Sequence, residues 1–229
     1  MRDDEMPGLR NGKIIADAPN ALKRFLEPGL NRRAGEACEM CGQPIVEQHS
    51  HVVNVESRTL MCTCRACYLL FTHGGAAQGK YRAVPDRVLN LNSFRLSTAD
   101  WDAMQIPVGM AFFFYNSSMK KITAFYPSPA GATESMVPLE AWDDLVAANP
   151  VLRDLTPDVE ALLIYRRRGE DQFQCFIVPI DACYELTGKV RRYWKGFDGG
   201  EEVWREIEGF FSGLRARSRD HNEGSSAVE

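Results

Sequence analysis

Five of the seven cysteines lie between residues 38 and 67, in two short motifs. The first motif is Cys38-x-x-Cys41, and the second is Cys62-x-Cys64-x-x-Cys67. Each Cys-x-x-Cys turn holds two sulfurs close together, and a hairpin between the turns can place four thiolates around one tetrahedral ion. The spacing therefore predicts a metal site formed by Cys38, Cys41, Cys64 and Cys67.

The ion that such a site favours is zinc, because a closed shell of four soft ligands is typical of structural zinc and needs no redox chemistry. A four-thiolate site also suits iron, which makes an iron-thiolate electron-transfer protein the alternative. The residues after Cys67 lack the glycine and proline expected beside rubredoxin knuckles, and the Cys-x-His spacing of a Rieske centre is missing. We therefore expect zinc and keep iron as the rival ion.

Three further metal-ligating residues, His49, His51 and Cys62, lie between or beside the knuckles. His49 and His51 share one face of a strand because side chains alternate along it. If the turn between the strands has an even number of residues, we expect His51 to pair near Cys64 and Val53 near Cys62, whereas an odd register would undo this pairing. The three residues could complete the four-cysteine shell, support it from outside, or hold a second ion, and the sequence leaves these alternatives open.

The charge balance argues against a nucleic-acid partner. The chain has 27 Lys and Arg against 31 Asp and Glu, a net charge of −4. Around the cysteines, four glutamates outnumber two arginines: Glu36, Glu39, Glu47 and Glu56 against Arg58 and Arg65. Four thiolates on a divalent ion add further negative charge, which would repel a phosphate backbone.

Apolar segments long enough to span a bilayer are missing, and the N-terminus, Met-Arg-Asp-Asp-Glu, lacks the apolar stretch of a signal peptide. The sequence thus predicts a cytoplasmic protein without a membrane partner. In the cytoplasm clustered cysteines hold metal more often than disulfides.

The length of 229 residues and a hydrophobic content of 45% suit a small metal-held module joined to one domain of ordinary size. The module has strands at His49–Val55 and Thr59–Cys64. Beyond it, strand pairs separated by helices at irregular intervals predict an α+β fold. The predicted organisation is a flexible tail at 1–20, a zinc-ribbon-like module at 21–80 with a helix at Ala21–Leu26, a mixed α+β domain at 81–216, and a second tail at 217–229.

Within the α+β domain, the segment Tyr126–Ser135 is rich in small residues and prolines and is predicted to be a loop. Its backbone N–H groups and polar side chains suit contact with a partner or ligand; the candidate residues are Ser128, Gly131, Thr133, Glu134 and Ser135. A connection that merely turns the chain is the alternative. A Ser-His-Asp set does not accompany the segment, so the sequence favours a protein without hydrolytic activity. A small hydrolase or transferase that uses residues 128–135 and Glu160 is the enzyme alternative, and it would need a formed pocket.

Two acidic residues of the α+β domain are expected to have structural roles. Glu160 lies in an apolar strand, where burial would raise its pKa. The structural interpretation is a sheet face that is partly open, or a pair with an arginine such as those at 166–168. Asp181 is expected to cap a helix that runs to Trp194.

Taken together, these motifs resemble a specific family. The sequence combines Cys-x-x-Cys-Gly, His-x-His and Cys-x-Cys-x-x-Cys with Tyr-Pro-Ser-Pro-Ala-Gly-Ala-Thr-Glu-Ser and Pro-Ile-Asp-x-Cys-Tyr. In these motifs the chain resembles an uncharacterised bacterial family often encoded near [NiFe] hydrogenases. The resemblance implies an accessory protein of hydrogenase maturation, assembly or electron transfer, with a hydrogenase-related protein as its partner.

Overall fold

The structure is a computed structural model that describes residues 37–73 and 75–221, apart from the side chain of residue 139. The predicted tail at 1–20 and the predicted helix at Ala21–Leu26 lie outside the described residues.

The described part of the predicted zinc-ribbon-like module, from residue 37 to the end of its sheet at Ala83, is called the metal module below. It is built on a hairpin, as its sequence predicted. Strands β1 (Ser50–Asn54) and β2 (Thr59–Thr63) pair in antiparallel fashion, and a short helix, α1 (Arg65–Leu69), follows β2 directly. Strand β3 (Tyr81–Ala83) then returns to pair with β1, which gives a three-stranded sheet in the order β2-β1-β3. The sheet therefore extends three residues past the boundary predicted at residue 80.

A second, larger sheet forms the centre of the α+β domain. Its strands are β4 (Leu89–Asn90), β5 (Met110–Asn116), β6 (Lys121–Ser128), β7 (Gly131–Ser135), β8 (Glu160–Arg166), β9 (Phe173–Pro179) and β10 (Arg219–Asp220). The order across the sheet is β10-β4-β9-β8-β5-β6-β7, and all neighbours are antiparallel except β10 and β4. The strands meet as hairpins interrupted by helices, which confirms the mixed α+β class.

The helices of this domain are α2 (Thr98–Ala103), α3 (Leu139–Ala148), α4 (Ile180–Tyr193) and α5 (Gly200–Arg217), with a 3₁₀ turn at Pro150–Asp154. Ser97 caps α2 in a reciprocal capping box with Asp100. The expectation that Asp181 caps α4 is wrong, because Pro179 occupies the cap position and Asp181 lies inside the first turn. Its carboxylate is engaged elsewhere, by His51.

The large sheet separates two hydrophobic cores. Along β5, Phe112 and Phe114 point to the face covered by α4 and α5, and Phe113 points to the face covered by α2 and α3. The metal module joins the first of these cores through Val53 and Val84. The module thus packs against the α+β domain on the same face as α4 and α5.

The predicted loop at Tyr126–Ser135 is a β-hairpin. Strand β6 continues to Ser128, Pro129 and Ala130 form the turn, and β7 begins at Gly131. The pairing of β6 with β5 has ended at Phe125, so the missing N–H of Pro127 leaves no ladder hydrogen bond unmade on that side. The Pro- and Ser-rich composition that suggested a loop therefore suits the end of a strand.

The segment predicted as a tail from residue 217 starts with the last residue of α5 and the short strand β10, and residues 222–229 lie outside the described part. Within the described ranges, none of the helices has the length and apolarity required to cross a membrane.

Candidate metal centre

The structure brings the four predicted cysteines together. One sulfur from each of Cys38, Cys41, Cys64 and Cys67 lies within 4.8 Å of the other three, and the Cys41 and Cys64 sulfurs are 3.7 Å apart. Four sulfurs at about 2.3 Å from a central ion would be separated by about 3.8 Å along each edge of a tetrahedron. The four cysteines therefore form a cluster able to bind a metal ion.

The first knuckle is a tight turn stabilised by backbone hydrogen bonds. The N–H of Cys38 donates to the carbonyl of Gln43 at 2.7 Å, and the N–H of Gly42 donates to the carbonyl of Cys38 at 2.8 Å. Gly42 has φ +76°, a left-handed conformation that residues with a Cβ adopt at a cost. The glycine after Cys41 thus allows the chain to turn back beneath the two sulfurs.

The second knuckle uses the first turn of a helix. Cys64 occupies the cap position of α1 with extended backbone angles, and the N–H of Tyr68 donates to its carbonyl at 3.0 Å. Cys67 lies three residues later, so one helical turn places its sulfur on the same side as that of Cys64. The hairpin between the knuckles determines how the two turns face each other.

The thiols of the cluster differ in acidity. Burial alone raises the pKa of the Cys38 thiol, but three backbone N–H groups, those of Met40, Cys41 and Cys64, donate to its sulfur and bring its pKa down to about 6. Burial and the neighbouring sulfurs raise the pKa of Cys67 to about 12. Four crowded sulfurs oppose one another's ionisation, and a divalent cation among them would offset that repulsion.

The remaining potential ligands lie in a separate cluster. The ligand atoms of His49, His51 and Cys62 lie within 4.8 Å of one another, and the two imidazole rings are 4.7 Å apart between centroids. The predicted pairing of His51 with Cys64 is wrong, because the four-residue turn places His51 opposite Cys62 and Val53 opposite Leu60. Because the shift is two residues, His51 still faces the same side of β2, but its neighbour there is Cys62 rather than Cys64.

Glu39 connects the two clusters. Its backbone N–H donates to the carbonyl of Cys62 at 2.9 Å, and its carboxylate accepts the N–H of Cys62 at 2.5 Å. The first knuckle is thereby attached to the end of β2. Burial, followed by the carboxylate of Glu39, raises the pKa of the Cys62 thiol.

The proposed contact residues of the α+β domain lie in the β6–β7 hairpin. The hydroxyl of Ser128 bonds the carbonyl of Gly131 at 3.0 Å and the hydroxyl of Thr133 at 2.9 Å, so both hydroxyls support the turn. Glu134 is exposed and pairs with Lys121 at 3.3 Å. Ser135 ends β7, opposite Ala124.

A cavity of about 290 Å³ lies between the tip of the β1–β2 hairpin and this part of the large sheet. Its apolar wall includes Phe114, Phe125 and Leu60. Glu134 also lines it, as does Thr123, whose buried hydroxyl has no hydrogen-bond partner among the described residues. Residues of the metal module and of the β6–β7 hairpin therefore line the same cavity.

Glu160 is completely buried, and its partner differs from the expected one. Both carboxylate oxygens bond the guanidinium of Arg87, at 2.5 and 2.8 Å, rather than an arginine at 166–168. Burial alone raises the pKa of Glu160, but Arg87 and Thr156 outweigh it and hold the pKa below its ordinary value. Glu160 is thus a structural carboxylate.

Comparison with known protein families identifies one family whose model matches most of the chain. A family model described as a family of unknown function, DUF5947, matches residues 37–218, which include every cysteine of the metal module and every strand of the large sheet except β10. The chain belongs to the DUF5947 family. Searches of curated proteins and of solved structures returned no match.

Sequence reasoning missed the contacts that Asp181, Glu39 and Arg87 make. Asp181 contacts His51 across 130 positions of sequence, and Arg87 contacts Glu160 across 73. Glu39 had been counted only as a surface charge. Nothing local in the sequence marks these partners, because each contact joins residues that are far apart in sequence, and even Glu39 and Cys62 are separated by 23 positions.

Proposed function

We propose that this DUF5947 protein is an accessory protein in which a structural zinc ion, bound by Cys38, Cys41, Cys64 and Cys67, fixes a recognition module on an α+β domain. The observation that carries the proposal is the convergence of the four sulfurs on one centre. Four thiolates form a closed shell, which suits zinc in a structural role because no position remains for substrate.

The fold supports a structural role for the ion. The described module has few buried apolar side chains of its own, chiefly Val52, Val53 and Tyr68. A segment this small depends on metal binding for much of its folding free energy. The ion would hold the two knuckles in place, and the hairpin between them would then dock on the large sheet through Val53.

The proposed recognition surface is the cavity between the hairpin tip and the β6–β7 hairpin. Its apolar wall suits an apolar side chain of a partner protein. A polar group of that partner would satisfy the hydroxyl of Thr123, which makes no hydrogen bond to any residue that the structure describes. Arg58 and Glu134 are exposed and line the same cavity with opposite charges. These charges would favour one orientation of a bound partner over others.

The proposed partner is a hydrogenase-related protein. This part of the proposal rests on the resemblance of the cysteine, Tyr-Pro-Ser-Pro and Pro-Ile-Asp motifs to a family encoded near [NiFe] hydrogenases. A protein that docks on immature or assembling subunits needs a rigid surface and no catalytic group, and a zinc-held hairpin beside a cavity provides such a surface.

Affinity capture with the full-length chain tests the partner. The bait would be produced in a host that encodes a [NiFe] hydrogenase cluster, and captured proteins would be identified by mass spectrometry. We expect products of that cluster with the wild type and clearly less of them with Glu134→Ala and Thr123→Val. Asp102→Ala, an exposed site on α2 across the sheet, is the matched control and should capture as the wild type does.

Both cavity variants should remain folded. Glu134 is exposed, and such changes cost about 0.5 kcal/mol or less. Thr123→Val removes a buried hydroxyl that has no hydrogen-bond partner in the described part of the chain, which is close to neutral for stability. If the wild type and the three variants capture the same amount of partner, the contact surface lies outside the cavity. If no product of the hydrogenase gene cluster is captured, the proposed link to hydrogenase is refuted.

A further inference from the structure

A second group of metal-ligating side chains lies beside the four-cysteine centre and shares no residue with it. His49, His51 and Cys62 each direct one ligand atom toward the others, all within 4.8 Å. His51 and Cys62 are directly opposite each other on β1 and β2, and His49 precedes β1 on the same side. The pairing register of the hairpin therefore builds this cluster.

The hydrogen bonds of the two imidazole rings define which nitrogen is free. Nδ1 of His49 lies 2.9 Å from the carbonyl oxygen of Val46, and Nδ1 of His51 lies 2.8 Å from Oδ2 of Asp181. Both partners are acceptors only, so each Nδ1 must carry the proton and donate. The Nε2 atom of each neutral ring is then left with a lone pair, which is the form that binds a metal ion.

The environment of His49 shows that its free nitrogen lacks a partner. Nε2 of His49 is buried from solvent and makes no hydrogen bond within the described structure. A buried acceptor without a partner costs free energy, and an ion coordinated at this atom would remove that cost. This orphaned nitrogen distinguishes the cluster from two histidines that merely stack on each other.

Each of the three ligands is positioned by a contact behind it. A carboxylate that accepts from the distal nitrogen of a histidine is the usual support of a metal ligand, and Asp181 has this relation to His51. The Val46 carbonyl has the same relation to His49. Cys62 is held through both its backbone groups by Glu39.

We propose that His49, His51 and Cys62 form a second metal site, which binds a divalent ion of the zinc type through two imidazole nitrogens and one thiolate. This ligand set suits borderline-soft ions such as Zn²⁺ and Co²⁺ rather than Mg²⁺ or Ca²⁺. Three protein ligands leave one position of a tetrahedral ion for water or a ligand supplied by a partner. The site goes beyond the structural zinc centre and differs from it in this open position.

Cobalt uptake tests the second site. The full-length protein would be dialysed anaerobically against EDTA, which we expect to leave only the ion in the closed four-cysteine shell, and then titrated with Co²⁺. We expect uptake of one Co²⁺ per chain with a thiolate-to-cobalt charge-transfer band and the visible absorption of a tetrahedral cobalt site. Cys62→Ser should abolish that band and most of the uptake, while the first ion is retained.

Asp181→Asn keeps all three ligand atoms and removes only the carboxylate behind His51. It should weaken Co²⁺ binding by about 10- to 100-fold, the usual effect of removing such a support. His73→Asn, a histidine outside the cluster, is the matched control and should bind as the wild type does. Because Asp181→Asn does not alter a ligand, the test does not depend on whether Cys62→Ser folds.

Two results would overturn the second site. One is the failure of the wild type to take up Co²⁺ beyond the ion already held by the four cysteines. The other is uptake with an affinity that Asp181→Asn and Cys62→Ser leave unchanged. Neither result would affect the four-cysteine centre, whose ion is measured separately before the titration.

Discussion

His51 donates a hydrogen bond from Nδ1 to Oδ2 of Asp181 over 2.8 Å. This contact joins β1 of the metal module to the first turn of α4 in the α+β domain, where a negative charge is also favoured by the helix dipole. The module is thereby docked by a polar contact as well as by the apolar packing of Val53 and Val84. The group of His49, His51 and Cys62 therefore lies beside the contact between the module and the α+β domain.

Replacing Cys41 with Ser should release the structural zinc and unfold the module. Cys41 is an exposed member of the cluster, so the loss of stability would come from the ion and not from packing. Structural zinc contributes on the order of 10 kcal/mol to small modules. Metal content and hydrogen exchange of the β1 and β2 amides measure the effect.

Cys183→Ala is the control for Cys41→Ser, because Cys183 is a buried thiol of the domain core and takes no part in the cluster. It should retain full zinc content. A Cys41→Ser protein with unchanged zinc content and unchanged exchange of β1 and β2 would refute the structural role of the ion.

Gly42→Ala should weaken the first knuckle. The added Cβ meets no atom within 4 Å, so the cost arises from the left-handed backbone at φ +76° and amounts to about 1–2 kcal/mol. Gly75→Ala provides a matched control, since Gly75 also has open space but a φ of −98°. Zinc release to a chelator should be faster in Gly42→Ala alone, and equal release rates in the two variants would show that the turn conformation does not support the site.

Removing the partner of Glu160 should destabilise the domain. Arg87→Met leaves a fully buried carboxylate without its charge partner, and breaking such a pair costs about 3–5 kcal/mol. Because Arg87 is half exposed, we expect the lower end of that range. In Arg87→Met/Glu160→Gln the unpaired charge is gone, so urea unfolding should show a smaller loss than in Arg87→Met; an equal or larger loss would contradict the ion-pair account.

The same pair predicts an acid dependence of stability. The pKa of Glu160 is lower in the folded protein than in the unfolded chain, so the unfolded state binds more protons between the two values. The contribution of Glu160 is therefore complete above the ordinary pKa of a glutamate and is lost as the pH falls through the folded pKa. Glu160→Gln lacks this contribution, so the difference in unfolding free energy between the two proteins should shrink on acidification.

Measuring that difference, rather than the wild type alone, cancels the loss of metal from the thiolates at low pH. Both proteins retain the same cysteines, so zinc release affects them equally. A difference that stays constant from pH 7 to pH 3 would show that Glu160 does not gain stability from its pairing.

The convergence of four cysteines was predictable because two Cys-x-x-Cys turns and an alternating hairpin are local features. The strands β1 and β2 follow from the alternation of apolar and polar residues in the same way. The division of the remaining ligands was not predictable, since it depends on a hairpin register that the turn length sets. A pairing shifted by two residues gave Cys62 to His51.

Long-range contacts account for the other differences. The prolines of Tyr126–Ser135 suggested a loop, yet Pro127 lies beyond the β5–β6 ladder and the segment forms the end of β6, a turn and all of β7. Glu160 was expected to pair with a neighbouring arginine, and the side chain that reaches it is Arg87. Local sequence patterns do not predict which distant element packs against a strand.

X-ray absorption spectroscopy at the zinc edge, on full-length protein purified anaerobically and dialysed against EDTA, tests the central claim most directly. We predict one zinc per chain in a colourless sample, with four sulfur ligands at about 2.3 Å and no nitrogen ligand. A shell that contains imidazole nitrogen, or a red sample with near-stoichiometric iron in place of zinc, would contradict a structural zinc held by Cys38, Cys41, Cys64 and Cys67.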